Sequence, residues 1–455
     1  MIDKSIFRAY DIRGVYGETI TPKIMECIGR ELRKMFPNES FVVGNDIRSS
    51  SEELAGALIK GLMFKDGEVI YAGTTAFGTS LFTGFKLKKD KNFYITASHS
   101  PPEWNGVKLY YGDGEAFTSE LNYKLGDNVA KHIDEVEDYD NYTDFLDKAN
   151  RVNLNEEYIK FMRDNFKITK PLKVVVDCGN GSTALTAPAA LRALGFDVVV
   201  LNDNIDPNFP ARTADIKTAL LGELYEKVRS EGADFGVAFD GDGDRFVLVD
   251  ENGTPYSGSI TGIMIAKNII RDSKKKKIVI TQPVSIATET ELEPLGAKVI
   301  RIPVGHTYAI NNAKKENALM GMEESGHLII TDYFYFDDGL IAPLKAAEIM
   351  CNTGKKLSEL MGEIPIYPFE EIVFECKEEV KFKFIEEMYN RLSKEYDDTS
   401  SMDGLRIGFK DGWVLLRASN TGPKIRLYIE ATSRERFNEL KDKFSGLFFE
   451  ELNKW

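Results

Sequence analysis

One local order recurs three times along this chain: a short apolar strand, a polar or glycine-containing turn, a helical stretch, then glycine and another apolar strand. It first runs from Phe41-Val42-Val43-Gly44 through a helical stretch from Ser51 to Phe64, ending at Gly67-Glu68-Val69-Ile70-Tyr71. It returns from Val174-Val175-Val176-Asp177 through Gly181 and a helix near Ala187 to Leu194, then Gly195-Phe196-Asp197-Val198-Val199-Val200. The third copy runs from Ile278-Val279-Ile280 through Ser285 and Thr288 to Leu295, then Gly296-Ala297-Lys298-Val299-Ile300. Each time the apolar period switches from strand to helix and back, as a strand–helix–strand unit requires. Any α/β protein repeats such units, so duplication of one ancestral unit stays open beside plain repetition of the pattern. A chain of 455 residues is also too long for a single hydrophobic core, and three or four domains are expected.

Loop signals divide the chain further. The acidic run from Asp134 to Asp147 leads out of the first domain, and Asp250-Glu251-Asn252-Gly253 is a turn near a second boundary. Ile364-Pro365-Ile366-Tyr367-Pro368 reads as an extended linker, because each proline disfavours a helical conformation in the residue before it. The resulting domains are 1–150, 151–253, 254–366 and 367–455. The last reads as α+β, with a strand at Ile372-Val373-Phe374, a helix around Phe382 to Tyr396, strands near Trp413 to Leu416 and Ile425 to Ile429, and a helix from Ser433 to Leu452.

The formal charge of −14 excludes nucleic acid or an anionic membrane as the main partner, since both recruit clustered Lys and Arg. An anionic small substrate needs local basic loops instead. The four cysteines, Cys27, Cys178, Cys351 and Cys376, show no short paired spacing for zinc or a disulfide framework, which fits a reducing cytoplasm. The start of the chain lacks a basic segment followed by an apolar run, and no stretch approaches about 18 uninterrupted apolar residues. Neither export nor membrane insertion is expected, and the pattern specifies no oligomeric state.

Four polar loops carry candidate chemistry. Thr96-Ala97-Ser98-His99-Ser100-Pro101-Pro102 follows the apolar strand Phe93-Tyr94-Ile95, with Lys108 downstream. It offers a nucleophile, a proton-handling group and a cation for phosphate, though Ser-His pairs also occur in ordinary solvated turns. Asp240-Gly241-Asp242-Gly243-Asp244-Arg245 follows Gly236-Val237-Ala238-Phe239. Carboxylates at alternate positions of an extended turn converge on one hard cation, Mg²⁺ or Ca²⁺, while the glycines let the backbone fold tightly. Asp240, Asp242, Asp244 and Glu251 fall at positions 1, 3, 5 and 12 of an EF-hand loop, but Arg245 occupies the glycine position and the flanks read as strands. Mg²⁺, the usual partner of a phosphoryl oxygen, fits better. Glu323-Glu324-Ser325-Gly326-His327 would place the Glu323 carboxylate beside the Ser325 hydroxyl, a pair suited to adjacent sugar hydroxyls and equally to a polar turn. Arg417-Ala418-Ser419-Asn420-Thr421-Gly422-Pro423-Lys424-Ile425-Arg426 combines small polar donors with the guanidinium forks of Arg417 and Arg426, as a phosphate cradle or a hairpin turn would.

Taken together and in this order, TASHSPPEWNGVK, DGDGDR, EESGH and RASNTGPKIR, with FRAYDIRG at Phe7 to Gly14, resemble the α-D-phosphohexomutase family and its phosphomannomutase/phosphoglucomutase branch. The resemblance runs from Phe7 to about Glu430. It implies a heart-shaped α/β protein: three related α/β domains with mixed sheets sandwiched by helices, and a smaller α+β C-terminal domain, around a central cleft. Ser98 matches the serine that carries the phosphoryl group. Asp240, Asp242 and Asp244 match the Mg²⁺ ligands, with an oxygen of phosphorylated Ser98 as the fourth. Glu323 and Ser325 match the sugar-binding loop, and Arg417, Ser419, Asn420 and Thr421 match the loop for the non-transferring phosphate. Tyr10, Arg13, His99, Lys108, Arg245 and His306 match supporting positions, Lys108 and His99 being the implied proton-transfer groups.

The implied reaction moves a phosphoryl group between the 1- and 6-positions of a mannose or glucose phosphate, through phosphoserine and a hexose 1,6-bisphosphate that is both intermediate and activator. Phosphoglucosamine mutase is the alternative. A metal-dependent sugar phosphatase and a non-catalytic sugar-phosphate binder are more remote, and a pure binder has no need of a nucleophile beside a metal. Ser100, Met322 and Gly422 depart from the asparagine, glycine and glutamate common in the family.

Overall fold

The computed structural model describes residues 2–65, 67–217, 219–419 and 422–455. Each strand–helix–strand stretch builds its own mixed sheet, and the three sheets share one topology. In the first, Phe41–Asn45 lies between Val69–Thr74 and Lys91–Ile95, parallel to both, and Trp104–Tyr111 returns antiparallel beside Lys91–Ile95. In the second, Lys173–Asp177 lies between Asp197–Leu201 and Phe235–Phe239, with Phe246–Asp250 antiparallel to the latter. In the third, Lys277–Thr281 lies between Lys298–Ile302 and Met320–Met322, with Leu328–Ile330 returning antiparallel. The central strands are continuous apolar runs because helices cover both faces: Val42, Val175 and Val279 are fully buried.

The fourth sheet is antiparallel throughout, ordered Phe369–Glu375, Lys424–Ala431, Gly412–Ala418, Leu405–Phe409, Thr399–Ser400. Helices Glu378–Leu392 and Arg434–Leu452 pack Phe384, Met388, Leu440 and Phe444 into its core. The last helix begins where Ser433 accepts a hydrogen bond from the Arg436 amide, a cap that satisfies one orphan donor. The first of these helices starts at Glu378, ahead of the expected Phe382. Strand Leu405–Phe409 was not expected, because Arg406 and Gly408 break the apolar run. Ile12–Val15, inside the N-terminal motif, is a further strand, pairing antiparallel with Trp104–Val107. The second sheet also includes Pro255–Tyr256, beyond the Asp250–Gly253 turn.

One apolar core runs from Phe77 and Phe82 through Val174 and Phe239 to Ile280 and Leu344, joining the first three sheets. The fourth domain has its own core. It meets the others through a small patch of Trp413, Leu415 and Tyr428 against Ile286, and through polar contacts such as the Asp403 carboxylate accepting from the Val304 amide at 2.9 Å. In every sheet a hairpin between adjacent antiparallel strands carries one of the four polar motifs. No helix among the described residues is long and apolar enough to cross a membrane.

Candidate active site

The four hairpins converge on a cavity of ≈ 190 Å³, lined among others by Ser98, Asp244, Glu323 and Arg417. Ser98 sits at its inner end, 3% exposed, with φ of 51° in the left-handed region. That conformation costs a non-glycine residue about 1 to 2 kcal/mol. The Ser98 amide donates to Thr96 Oγ1 at 2.8 Å, and the Ser98 carbonyl accepts from Arg48 Nη2 at 2.9 Å. Arg48 also donates to the carbonyls of Ser100, Pro101 and Trp104, so one buried guanidinium shapes the whole serine turn. Sequence reasoning missed Arg48, although Asp46-Ile47-Arg48 directly follows the first central strand.

Ser98 Oγ lies 3.2 Å from Asp240 Oδ2 and 3.2 Å from His99 Nδ1. Close approach of the acidic loop requires glycine at 241, where a Cβ would come within 2.6 Å of the Ser98 carbonyl. The loop is clamped from both sides: the Phe77 amide donates to the Asp242 carbonyl and the Gly339 amide to the Gly243 carbonyl, each at 3.0 Å. Asp240, Asp242 and Asp244 are buried, with one oxygen of each within 4.8 Å of the others. Lys108 binds Oδ2 of Asp242 at 2.9 Å and Oδ2 of Asp244. The Oδ1 atoms of Asp242 and Asp244 are left buried without a hydrogen-bond partner. Lysine and a cation would therefore use different oxygens, and an all-oxygen donor set fits a hard ion.

Burial and neighbouring charges set the ionisation of these groups. Burial and the neighbouring Asp244 push the Asp240 carboxyl up to about 7, against the pull of Arg245, whose Nε donates to Asp240 Oδ2 at 2.9 Å. Burial also raises Asp244, whereas for Asp242 Lys108 outweighs burial and lowers it. Burial disfavours the Lys108 ammonium, but Asp242 and Asp244 outweigh it and hold the proton on the lysine. His99 goes the other way: burial, then Arg245 and Arg13, keep it well below its ordinary range and neutral.

The third hairpin brings Glu323 and Ser325, the residues expected to contact the sugar, to the cavity. Glu323 Oε1 accepts from the Gly305 amide at 2.9 Å, and Glu323 and Ser325 both line the cavity. Gly305 has φ of 143°, and a Cβ there would meet the Tyr10 ring at 2.5 Å. Tyr10 donates to the Val304 carbonyl and packs edge-on to Tyr308. His306 stacks on His327 with centroids 4.8 Å apart, and both ring Nδ1 atoms face Asp337 Oδ2, at 3.1 and 2.5 Å. Burial opposes ionisation of Asp337, yet the two histidines hold it well below the usual carboxylate range. Asp337 was not singled out from sequence, and His327 was noted only as the last residue of the Glu323–His327 motif, with no role given to it. Met322, a departure from the family, packs its sulfur towards Gly262, where a Cβ would come within 2.4 Å of it.

Arg13 donates to Asp11 and, through Nη1, to Ser100 Oγ at 3.0 Å, so the unusual Ser100 fixes a cation at the cavity wall. In the fourth hairpin Arg417 Nε donates to Asp403 Oδ2 at 2.9 Å, and Arg426 Nη1 to Glu371 Oε1. Buried Lys381 donates to the Ser419 carbonyl at 2.7 Å and the Gly422 carbonyl at 3.2 Å, tying both ends of the loop. Asn420 and Thr421, two of the predicted contacts, lie outside the described residues.

Family models for phosphoglucomutase/phosphomannomutase match in order along the chain: alpha/beta/alpha domain I over residues 4–135, domain II over 156–253, domain III over 257–367 and the C-terminal domain over 371–447. A phosphoglucomutase/phosphomannomutase of Thermococcus kodakarensis is 35% identical, the match covering 95% of this chain and 96% of that one. A probable phosphoglucosamine mutase of Methanopyrus kandleri is 33% identical over 96% of each chain. The crystal structure of a phosphoglucomutase/phosphomannomutase family protein from Burkholderia thailandensis superposes with a TM-score of 0.86 at 27% identity, covering 99% of this chain and 98% of that one. Four matched domains in series and full-length relatives above 30% identity place the chain in the phosphoglucomutase/phosphomannomutase family, and it is a phosphohexomutase, an isomerase.

Proposed function

We propose that the protein moves a phosphoryl group between the 1- and 6-positions of mannose or glucose phosphate, with Ser98 as the covalent carrier. The observation that carries this reading is the placement of Ser98 Oγ, 3.2 Å from both Asp240 and His99 in a cleft that all four hairpins line. Phosphorylated Ser98 gives its phosphoryl group to a hexose hydroxyl: the serine O–P bond breaks, the sugar O–P bond forms, and the hydroxyl proton is taken up by the site so that Ser98 Oγ ends protonated. The hexose 1,6-bisphosphate then presents its other phosphate to Ser98 in the reverse transfer. His99, whose Nδ1 lies 3.2 Å from Ser98 Oγ, and Lys108, whose Nζ lies 2.9 Å from Asp242 Oδ2, are proposed as the proton-transfer groups. Arg13 and Arg245 add charge where the equatorial oxygens gather it.

Asp240, Asp242 and Asp244 would hold Mg²⁺, which supplies charge neutralisation for the phosphoryl oxygens when bound. Glu323, Ser325 and His306 are proposed to orient the sugar, and Tyr10 to shape that wall. Arg417, Ser419 and Arg426 are proposed to grip the phosphate that is not reacting, with Asn420 and Thr421 assigned to the same loop. Relatives named as probable phosphoglucosamine mutases support glucosamine phosphate as a second substrate reading. Coupled assays on mannose, glucose and glucosamine 1-phosphates, with Mg²⁺ and a bisphosphate activator, separate the two. Net release of inorganic phosphate without isomer formation would instead mark a phosphatase.

A further inference from the structure

The domain that carries the acidic loop also sends a cation into the cradle of the last domain. Lys217 lines the same cavity as Arg417, Ser419 and Arg426, with Nζ 5.7 Å from the centre of the Tyr428 ring. Its Nζ donates to Glu371 Oε2, while Glu371 Oε1 takes Arg426 Nη1. Two cations from two domains thus share one carboxylate that is only 10% exposed, beside a third cation, Arg417, held by Asp403. Three cations against two carboxylates leave a net positive cluster that faces the cavity, which suits a dianion. The backbone under Lys217 is fixed: its amide donates to Asp215 Oδ1 at 3.1 Å, and the same oxygen lies 3.5 Å from Arg245 Nη1.

Resting on the reading that the Arg417–Ser419 loop grips the non-reacting phosphate, we propose that Lys217 is a further ligand of that phosphate. Until substrate arrives Glu371 occupies Lys217 and Arg426, and it competes with the phosphate for both. A phosphate monoester offers three oxygens to Glu371's two, so it takes Lys217, Arg426 and Arg417 together. Because either end of the hexose occupies this site in turn, Lys217 acts in both directions of the reaction.

The test compares KM and kcat in both directions for Lys217→Ala, Lys217→Arg, Glu371→Gln and Arg417→Ala. Lys217→Ala raises KM about tenfold in each direction with kcat within about twofold, since a charge-assisted contact made equally to substrate and transition state is lost. Lys217→Arg restores most of the affinity. Glu371→Gln frees both cations and lowers KM, whereas a purely structural interdomain strut predicts a higher KM. Unchanged KM in Lys217→Ala, or raised KM in Glu371→Gln, overturns the proposal. Unchanged KM in Arg417→Ala would instead overturn the cradle reading on which it rests.

Discussion

Asp337→Asn is the substitution that most directly tests how the His306–His327 side of the cleft is organised. Asp337 is fully buried, and its Oδ2 faces Nδ1 of both His306 and His327. The His306–Asp337 contact is a hydrogen bond at 3.1 Å to a charged acceptor, of a kind worth about 1.5 to 3 kcal/mol, whereas His327 Nδ1 is close to Asp337 without hydrogen-bond geometry. Asparagine keeps the shape but loses the charge, and its single carbonyl accepts from one ring while its NH₂ faces the other. About one contact is lost, roughly 2 kcal/mol, which corresponds to a fall of ~30-fold in kcat/KM if both rings must be held for the reaction. Thermal melting separates this from loss of fold, because an isosteric change that removes no core atom should leave the protein cooperative and folded. A double-mutant cycle with His306→Asn adds the specific readout: the effect of Asp337→Asn should shrink in that background. A kcat/KM within about twofold of wild type would refute the view that Asp337 sets the two histidines.

Ser98→Ala should lower mutase turnover by about a thousandfold or more, measured on a preparation free of wild type, because the covalent carrier is gone. Asp242→Asn should shift Mg²⁺ activation of the coupled assay to higher concentration with little change in melting, and an unaltered activation curve would place the metal elsewhere. Glu324, half-buried within the Glu323–His327 loop, has its carboxyl pushed by burial up to about 7 from an ordinary 4.5. The folded state therefore favours the protonated form, and stability falls as pH rises from about 4.5 to about 7. Glu324→Gln should leave melting at pH 5 nearly unchanged and raise stability at pH 8 by about 2 to 3 kcal/mol; equal effects at both pH values would count against the raised carboxyl.

The chemistry-bearing loops were legible in sequence because each packs its donors into a few adjacent residues after an apolar strand. Ser98, the three aspartates and Arg417 needed no tertiary information to be noticed. Arg48, Asp337, Lys381 and Lys217 were not, because each acts through a partner outside its own stretch of sequence: 50 residues separate Arg48 from Ser98, and 154 separate Lys217 from Glu371. Nothing in a lone buried arginine or an exposed lysine marks such a link. The parallel strands were legible for the same reason as the loops, since burial on both faces writes an unbroken apolar run. Ile12–Val15 and Leu405–Phe409 owe their strand character to pairing with a neighbour already in place, and their own residues say little.

The clamp on the acidic loop bears on how this protein is made. The Asp242 carbonyl is met by Phe77, from the first domain, but the Gly243 carbonyl is met by Gly339, from the third. A chain emerging from the ribosome N-terminus first holds Ser98 and Asp240 to Asp244 well before Gly339, His327 or Arg417 has been synthesised. A Cβ at position 339 would lie 2.7 Å from the Gly243 carbonyl, so the third domain closes on the loop with no room to spare. A nascent chain therefore carries Ser98 and the acidic loop without the Gly339 strap or the guanidiniums of Arg417 and Arg426, and the four-hairpin site becomes whole only once the last domain has been made.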